Sequence, residues 1–96
     1  MFVLEKHDRP ARSSDIVFQS MPPDTILLNL KSGYYFSTNR LGAGVWERCD
    51  GKTTVAAMIE DLHRQYDVEL ERLTEDVEAF LRQMIDEGLL YVEGRE

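Results

Sequence analysis

The stretch that most constrains this chain is Thr25 to Cys49, TILLNLKSGYYFSTNRLGAGVWERC. It reads as a strand, a tight turn, a second strand and then, with no linker, a helix. Ile26, Leu28 and Leu30 alternate with Leu27, Asn29 and Lys31, the period of a half-buried strand. Lys31-Ser32-Gly33 is expected as a three-residue hairpin loop, with Gly33 where such loops need a positive φ. That loop sets Leu30 opposite Tyr34 and Leu28 opposite Phe36, so Tyr34 and Phe36 point to the core while Tyr35 and Ser37 point away. A one-residue slip would send every side chain to the other face.

Upstream, Ile16-Val17-Phe18 is a β-prone run closed by Met21-Pro22-Pro23-Asp24. Two prolines cannot sit inside a central strand and mark a turn. The result is a three-stranded meander over roughly 16–20, 25–30 and 34–37. Phe2 to Leu4 has the composition for a short strand, whereas His7 to Asp15 is polar, contains Pro10 and reads as a loop or arm. Residues 1–15 are therefore set apart as an N-terminal arm or short extra strand, and 16–92 as the domain.

Downstream, Thr38 or Asn39 caps a first helix carrying Leu41, Val45 and Trp46, which ends at Asp50-Gly51 in the manner of a glycine C-cap. Gly42 and Gly44 weaken it unless it packs closely on its neighbours. Thr53 or Thr54 caps a second helix to about Tyr66, with Val55, Met58, Ile59, Leu62 and Tyr66 on one face. A third runs from about Leu70 to Glu87 and stops at Gly88; Leu89 to Val92 follows as a terminal strand or docked tail.

Charge and chemistry narrow the function. The chain has 96 residues, one cysteine and a net charge of −7. That is one small domain, and its acidity argues against a nucleic acid partner, because phosphate backbones are bound by clustered Lys and Arg. No apolar run is long enough for a membrane span. The N-terminus lacks the apolar core of an export signal, so the expected location is the cytoplasm.

Cys49 has no recognisable base and reads as a small packed hydrophobe. His7 and His63 are far apart, and His63 with Asp67 at i, i+4 suits a surface pair. The carboxylates read as a solvated face, and no glycine-rich loop follows a strand. Neither a catalytic group, nor a metal site, nor a cofactor is expected.

What remains is a binding surface. The 34–37 strand is an outer strand of the meander, and Tyr34-Tyr35-Phe36-Ser37 contains no Lys, Pro or bulge to blunt an exposed edge. Such an edge suits a partner strand added by β-augmentation, unless the N-terminal segment or the 89–92 tail covers it. On the third helix, Phe80, Leu73, Met84, Val77, Leu70, Leu81 and Ile85 span about 140°, somewhat wider than the stripe that seals a core. One edge of that arc is free to line a groove, flanked by Asp76, Gln83 and Glu87.

These elements together resemble the PqqD-like family, which comprises coenzyme PQQ synthesis protein D and the recognition elements for ribosomally made, modified peptides. The likeness rests on LLNLKSGYYFSTNRLGAGVWE, DGKTTVAAMIEDL and QYDVELERLTEDVEAFLRQMIDEGLL, in that order, over about residues 16–90. It implies an α+β fold: a three-stranded antiparallel sheet followed by three helices, similar to a winged helix-turn-helix. It implies no catalysis, but capture of a precursor's leader peptide as an added strand between the third strand and the third helix.

The expected peptide-binding residues are then Tyr34, Tyr35, Phe36 and Ser37 with Leu73, Asp76, Val77, Phe80, Leu81 and Met84. The chain is most like the stand-alone elements of lasso-peptide clusters, whose partners are a leader peptidase and a macrolactam synthetase. It departs from the family in having Glu69-Leu70 where relatives often have Asp-Pro before the third helix. The rival readings are a domain that tethers an enzyme complex and a winged-helix DNA-binding protein. Residues 67–88 set Arg72 and Arg82 against eight carboxylates, which repels DNA from the helix that would have to enter the groove.

Overall fold

The computed structural model describes residues 3–94. The elements are β1 (Pro10–Arg12), β2 (Ile16–Met21), β3 (Asp24–Asn29), β4 (Tyr35–Thr38), α1 (Arg40–Glu47), α2 (Val55–Gln65), α3 (Leu70–Asp86) and β5 (Leu90–Val92). Strands β2, β3 and β4 form an antiparallel sheet in that order, and β1 pairs with β5 in a separate two-stranded ribbon. This is the expected α+β fold, three antiparallel strands followed by three helices in a winged-helix arrangement.

The first hairpin follows from its prolines. Met21 pairs with Asp24 across Pro22-Pro23, two residues without N–H groups at the point where the ladder needs none. The second hairpin differs from the expected register by one residue. Leu27 lies opposite Phe36 and Leu28 opposite Tyr35, and the loop is the four residues Leu30 to Gly33.

Asn29 is the reason. Its side-chain oxygen accepts from Lys31 N–H at 2.9 Å and Ser32 N–H at 3.3 Å, an Asx turn that starts the loop one residue early. Gly33, at φ +78°, returns its N–H to the Asn29 carbonyl at 2.8 Å. Ile26-Leu27-Leu28 is apolar on both faces, so hydrophobic period alone does not select the register, and the turn decides it. Leu27 is consequently fully buried. Leu28 and Leu30 look outward instead of pairing with Phe36 and Tyr34, and Tyr34 is 72% exposed rather than core-facing. Val17, Leu28 and Tyr35 form one exposed row across the outer face of the sheet.

Asn39 caps α1, its side-chain oxygen accepting from Gly42 N–H at 2.8 Å. The far end is not closed by Gly51. The helix stops at Glu47, and Arg12 Nη1 of β1 reaches over to the carbonyls of Trp46 (2.9 Å) and Glu47 (3.2 Å), satisfying groups a helix end leaves open. Thr54 caps α2 through Ala57 N–H at 3.1 Å. The start of α3 has no side-chain cap at Glu69, in keeping with the absence of Asp-Pro there.

The core lies between the sheet and the helices. Trp46 is fully buried at its centre, with the Phe18 ring edge-on at 5.7 Å. Leu27, Met58, Leu62, Leu73, Val77 and Leu81 close around it.

The N-terminal stretch is no loose arm. Pro10 pairs with Val92, Ala11 with Tyr91 and Arg12 with Leu90, and Leu4, Pro10 and Ala11 are buried. The strand expected at Phe2–Leu4 is not formed by Val3 and Leu4, and Phe2 lies outside the described residues.

Candidate binding groove

Strand β4 is an edge of its sheet, and the two segments that might have covered it, β1 and β5, pair with each other. Its four residues, Tyr35 to Thr38, include no charge and no proline. The ladder phase shows which of its backbone groups are open. Asn29 N–H donates to the Tyr34 carbonyl at 2.9 Å, so Tyr34 belongs to the class of residues that bond inward to β3. Bonding direction alternates along a strand. Phe36 and Thr38, opposite Leu27 and Thr25, therefore also face inward. Leu30 N–H donating to Asp15 O at 2.9 Å fits the same phase on the other flank of β3. The N–H and C=O groups of Tyr35 and Ser37 are thus left pointing at the open edge.

Beside that edge lies α3. A cavity of about 200 Å³ between them is lined by Phe36, Ser37, Thr38, Asn39, Phe80, Gln83 and Met84. Next to it, past the C-terminal end of β4, a second of about 320 Å³ is lined by Leu41, Gly42, Asp76 and Ala79 together with Asn39, Phe80 and Gln83.

Phe80 is held between the two by a missing side chain. A β-carbon on Gly42 would lie 2.8 Å from Phe80 Cε1 and 3.1 Å from Thr38 Cβ. The glycine that weakens α1 thus admits the aromatic ring of α3.

Of the residues expected from the sequence, Phe36, Ser37, Phe80 and Met84 come together around the first cavity, and Asp76 with Phe80 around the second. Tyr35 stands on the open edge, 72% exposed, and Tyr34 precedes the strand. Leu73, Val77 and Leu81 do not line the groove. They are the core-facing stripe of α3, at most 1% exposed, because residues at i, i+4 and i+8 follow the line that packs against the other helices. The wide apolar arc therefore serves two surfaces, a buried stripe that includes Met84 at 3% exposure and a groove edge at Phe80, with Met84 bordering both.

Thr38, Asn39, Leu41 and Ala79 were not anticipated. The sequence did carry a signal for the first two, since a strand running into a helix without a linker puts its cap residues at the mouth of any groove there.

The remaining chemistry is sparse. Cys49 is fully buried, its Sγ donating to the Val45 carbonyl at 3.2 Å, and burial pushes its thiol up to about 12. The thiolate that would act as a nucleophile is scarce at neutral pH. His63 sits in the last turn of α2 while Asp67 lies beyond the helix end, so the expected pair on one helix face does not form. No group of three or more metal-ligating side chains occurs among the described residues.

Another cleft, about 440 Å³, lies between the Pro22-Pro23 turn and helices α1 and α2. The guanidinium of Arg48 on its wall is taken by Asp61 at 2.7 Å and by the Gly44 carbonyl at 2.8 Å. Among the described residues no helix is long and apolar enough to cross a membrane.

Two solved structures share this fold. One, described as "TbiB1 in Complex with the TbiA(beta) Leader Peptide", has a TM-score of 0.77 at 22% identity, covering 90% of this chain and 98% of that one. The other, "Lasso peptide synthetase B1 complexed with the leader peptide", has a TM-score of 0.77 at 20% identity, covering 86% and 98%. No curated protein sequence matches the chain. The profile of coenzyme PQQ synthesis protein D (PqqD) matches residues 24–90. That span runs from β3 through all three helices and includes both walls of the groove; the chain belongs to the PqqD family.

Proposed function

We propose that this protein is a non-catalytic binding module that captures the leader of a ribosomally made precursor peptide as a fourth strand on β4. The observation that carries the reading is the open edge itself. Tyr35 and Ser37 present unpaired backbone donors and acceptors, and Ser37 shares the adjoining cavity with Phe36, Phe80 and Met84. An added strand gains main-chain hydrogen bonds from the edge, and the pockets beneath select its side chains. The family assignment supports this, as do two similar folds described in complex with leader peptides.

Delivery follows from binding. The module brings the leader, and with it the precursor, to a leader peptidase and a macrolactam synthetase in the cytoplasm, where precursors are made. DNA binding is disfavoured by the charges on α3: Arg72 and Arg82 are each paired with a carboxylate four residues away on the same helix, Asp76 and Glu78. Both pairs are long, at 3.5 and 3.8 Å, and weak at the surface, so it is the eight carboxylates against two arginines over residues 67–88 that repel phosphate.

The test is titration calorimetry with synthetic leaders of short precursor peptides sought among the neighbouring reading frames, together with amide hydrogen exchange. Binding should protect the amides of Tyr35 and Ser37 and leave those of α2 unchanged. Absence of heat at tens of micromolar, or protection confined to α2, overturns the reading.

A further inference from the structure

Phe80 lines both cavities and divides the groove into two subsites of different chemistry. No charged side chain lines the one bounded by Phe36 and Met84. The other has Asp76 as its single charged lining residue, among Leu41, Gly42 and Ala79. The Asp76 side chain is 48% exposed, and Arg72 meets its Oδ2 loosely, at 3.5 Å and 74% exposed. Arg72 already shows which kind of side chain this carboxylate takes.

A strand added to β4 turns alternate side chains toward α3. Beyond Thr38 the backbone remains extended at Asn39 (φ −79°, ψ −177°), so an added strand can follow it over the second subsite. We propose that Asp76 makes this subsite select a lysine or arginine of the bound leader, an even number of residues from the apolar side chain seated against Phe36, Phe80 and Met84. The inference rests on the leader-binding reading and adds a charge rule to it. In a protein of net charge −7, a carboxylate at the end of an otherwise uncharged groove attracts a cation. It equally rejects Asp or Glu at the same position, and that rejection is half of any specificity.

Fluorescence anisotropy tests the rule. The probes are the synthetic leader that binds in the calorimetric test above and versions with each Lys or Arg replaced singly by Gln. Each is titrated into wild type, Asp76→Asn and Asp76→Lys at low and high salt, with circular dichroism confirming the fold. One replacement, at even spacing from the apolar anchor, should weaken binding to wild type by about 1.5- to 5-fold, the range of half-exposed ion pairs. The same replacement should have no effect on Asp76→Asn, and high salt should close the gap. A leader carrying Glu at that position should bind Asp76→Lys better than it binds wild type.

Equal affinity of wild type and Asp76→Asn for the unmodified leader overturns the subsite while leaving leader binding intact. Failure of every leader to bind wild type in that calorimetric test overturns the function proposed above instead.

Discussion

At position 42 a single methyl group would meet two walls at once, Phe80 Cε1 at 2.8 Å and Thr38 Cβ at 3.1 Å. Gly42→Ala should gain about 1 kcal/mol in helix propensity. It should lose about 1–3 kcal/mol to overpacking, because the methyl strikes the Phe80 ring and, at the same time, the Cβ of Thr38, which is fixed to the backbone of β4. The expected outcome is a net loss in urea denaturation, and weaker leader binding because Phe80 is displaced. Unchanged stability and affinity would show that the ring moves freely. Cys49 gives a second prediction at this scale. Its folded value is raised from an ordinary 9.0 to about 12 by burial, so between those values the unfolded chain loses a proton that the folded chain keeps. Stability from this group is complete below pH 9.0 and is lost as pH rises toward about 12. The advantage of wild type over Cys49→Ala, measured by denaturation at successive pH values, should hold to about pH 9 and then shrink. Much of this scale was legible beforehand: the packed cysteine and the Asn39 and Thr54 caps are local choices written in adjacent residues. Arg12 as the closure of α1 was not, since its partners are 34 and 35 positions away.

Among the elements, β4 makes the sharpest prediction, because its two residue classes do different work. Tyr35 and Ser37 direct their backbone groups outward, so Tyr35→Pro and Ser37→Pro should fold with near-normal melting temperatures and lose leader binding. Phe36 bonds inward opposite Leu27; Phe36→Pro removes an inner ladder bond and should lower the melting temperature measured by circular dichroism. The opposite pattern would mean that the strand phase is inverted. The existence and order of β2, β3, β4 and the three helices were readable from period and punctuation. The hairpin register was not, because Ile26-Leu27-Leu28 offers two apolar faces and Asn29, read only as a polar alternate, sets the turn. The site was half legible for a related reason. A helical wheel orders residues by angle and carries no account of neighbours, so it merged Leu73, Val77 and Leu81, which seal the core, with the half-buried Phe80, which borders the groove, and Met84, which does both.

The whole molecule depends on a pairing that no local window reveals. Strand β1 lies in a polar stretch, HDRPARSS, and becomes a strand only because Leu90–Val92 returns beside it. Removing residues 1–12 should therefore lower the melting temperature markedly rather than trim an arm. It takes away the buried Leu4, Pro10 and Ala11 and the Arg12 bonds to α1, a loss of about 3 kcal/mol or more at roughly 1.5–3 kcal/mol per large buried side chain. A thermal melt unchanged by the deletion would contradict this. The ribbon also has a mechanical consequence. Pro10 faces Val92, and Glu93 N–H donates to the Arg9 carbonyl at 3.0 Å, so both ends of the chain leave the ribbon from the same side. Tension drawn between the two termini would first have to free Leu4 and the carbonyls of Lys6 and Asp8, which accept from Ala56 and Val55 N–H of α2. It would then not shear β1 along β5 but peel it, one pair after another. A domain spliced at both ends into a larger machine would give way along this N-terminal strap and seam, while the β4 edge, in the other sheet, kept its shape.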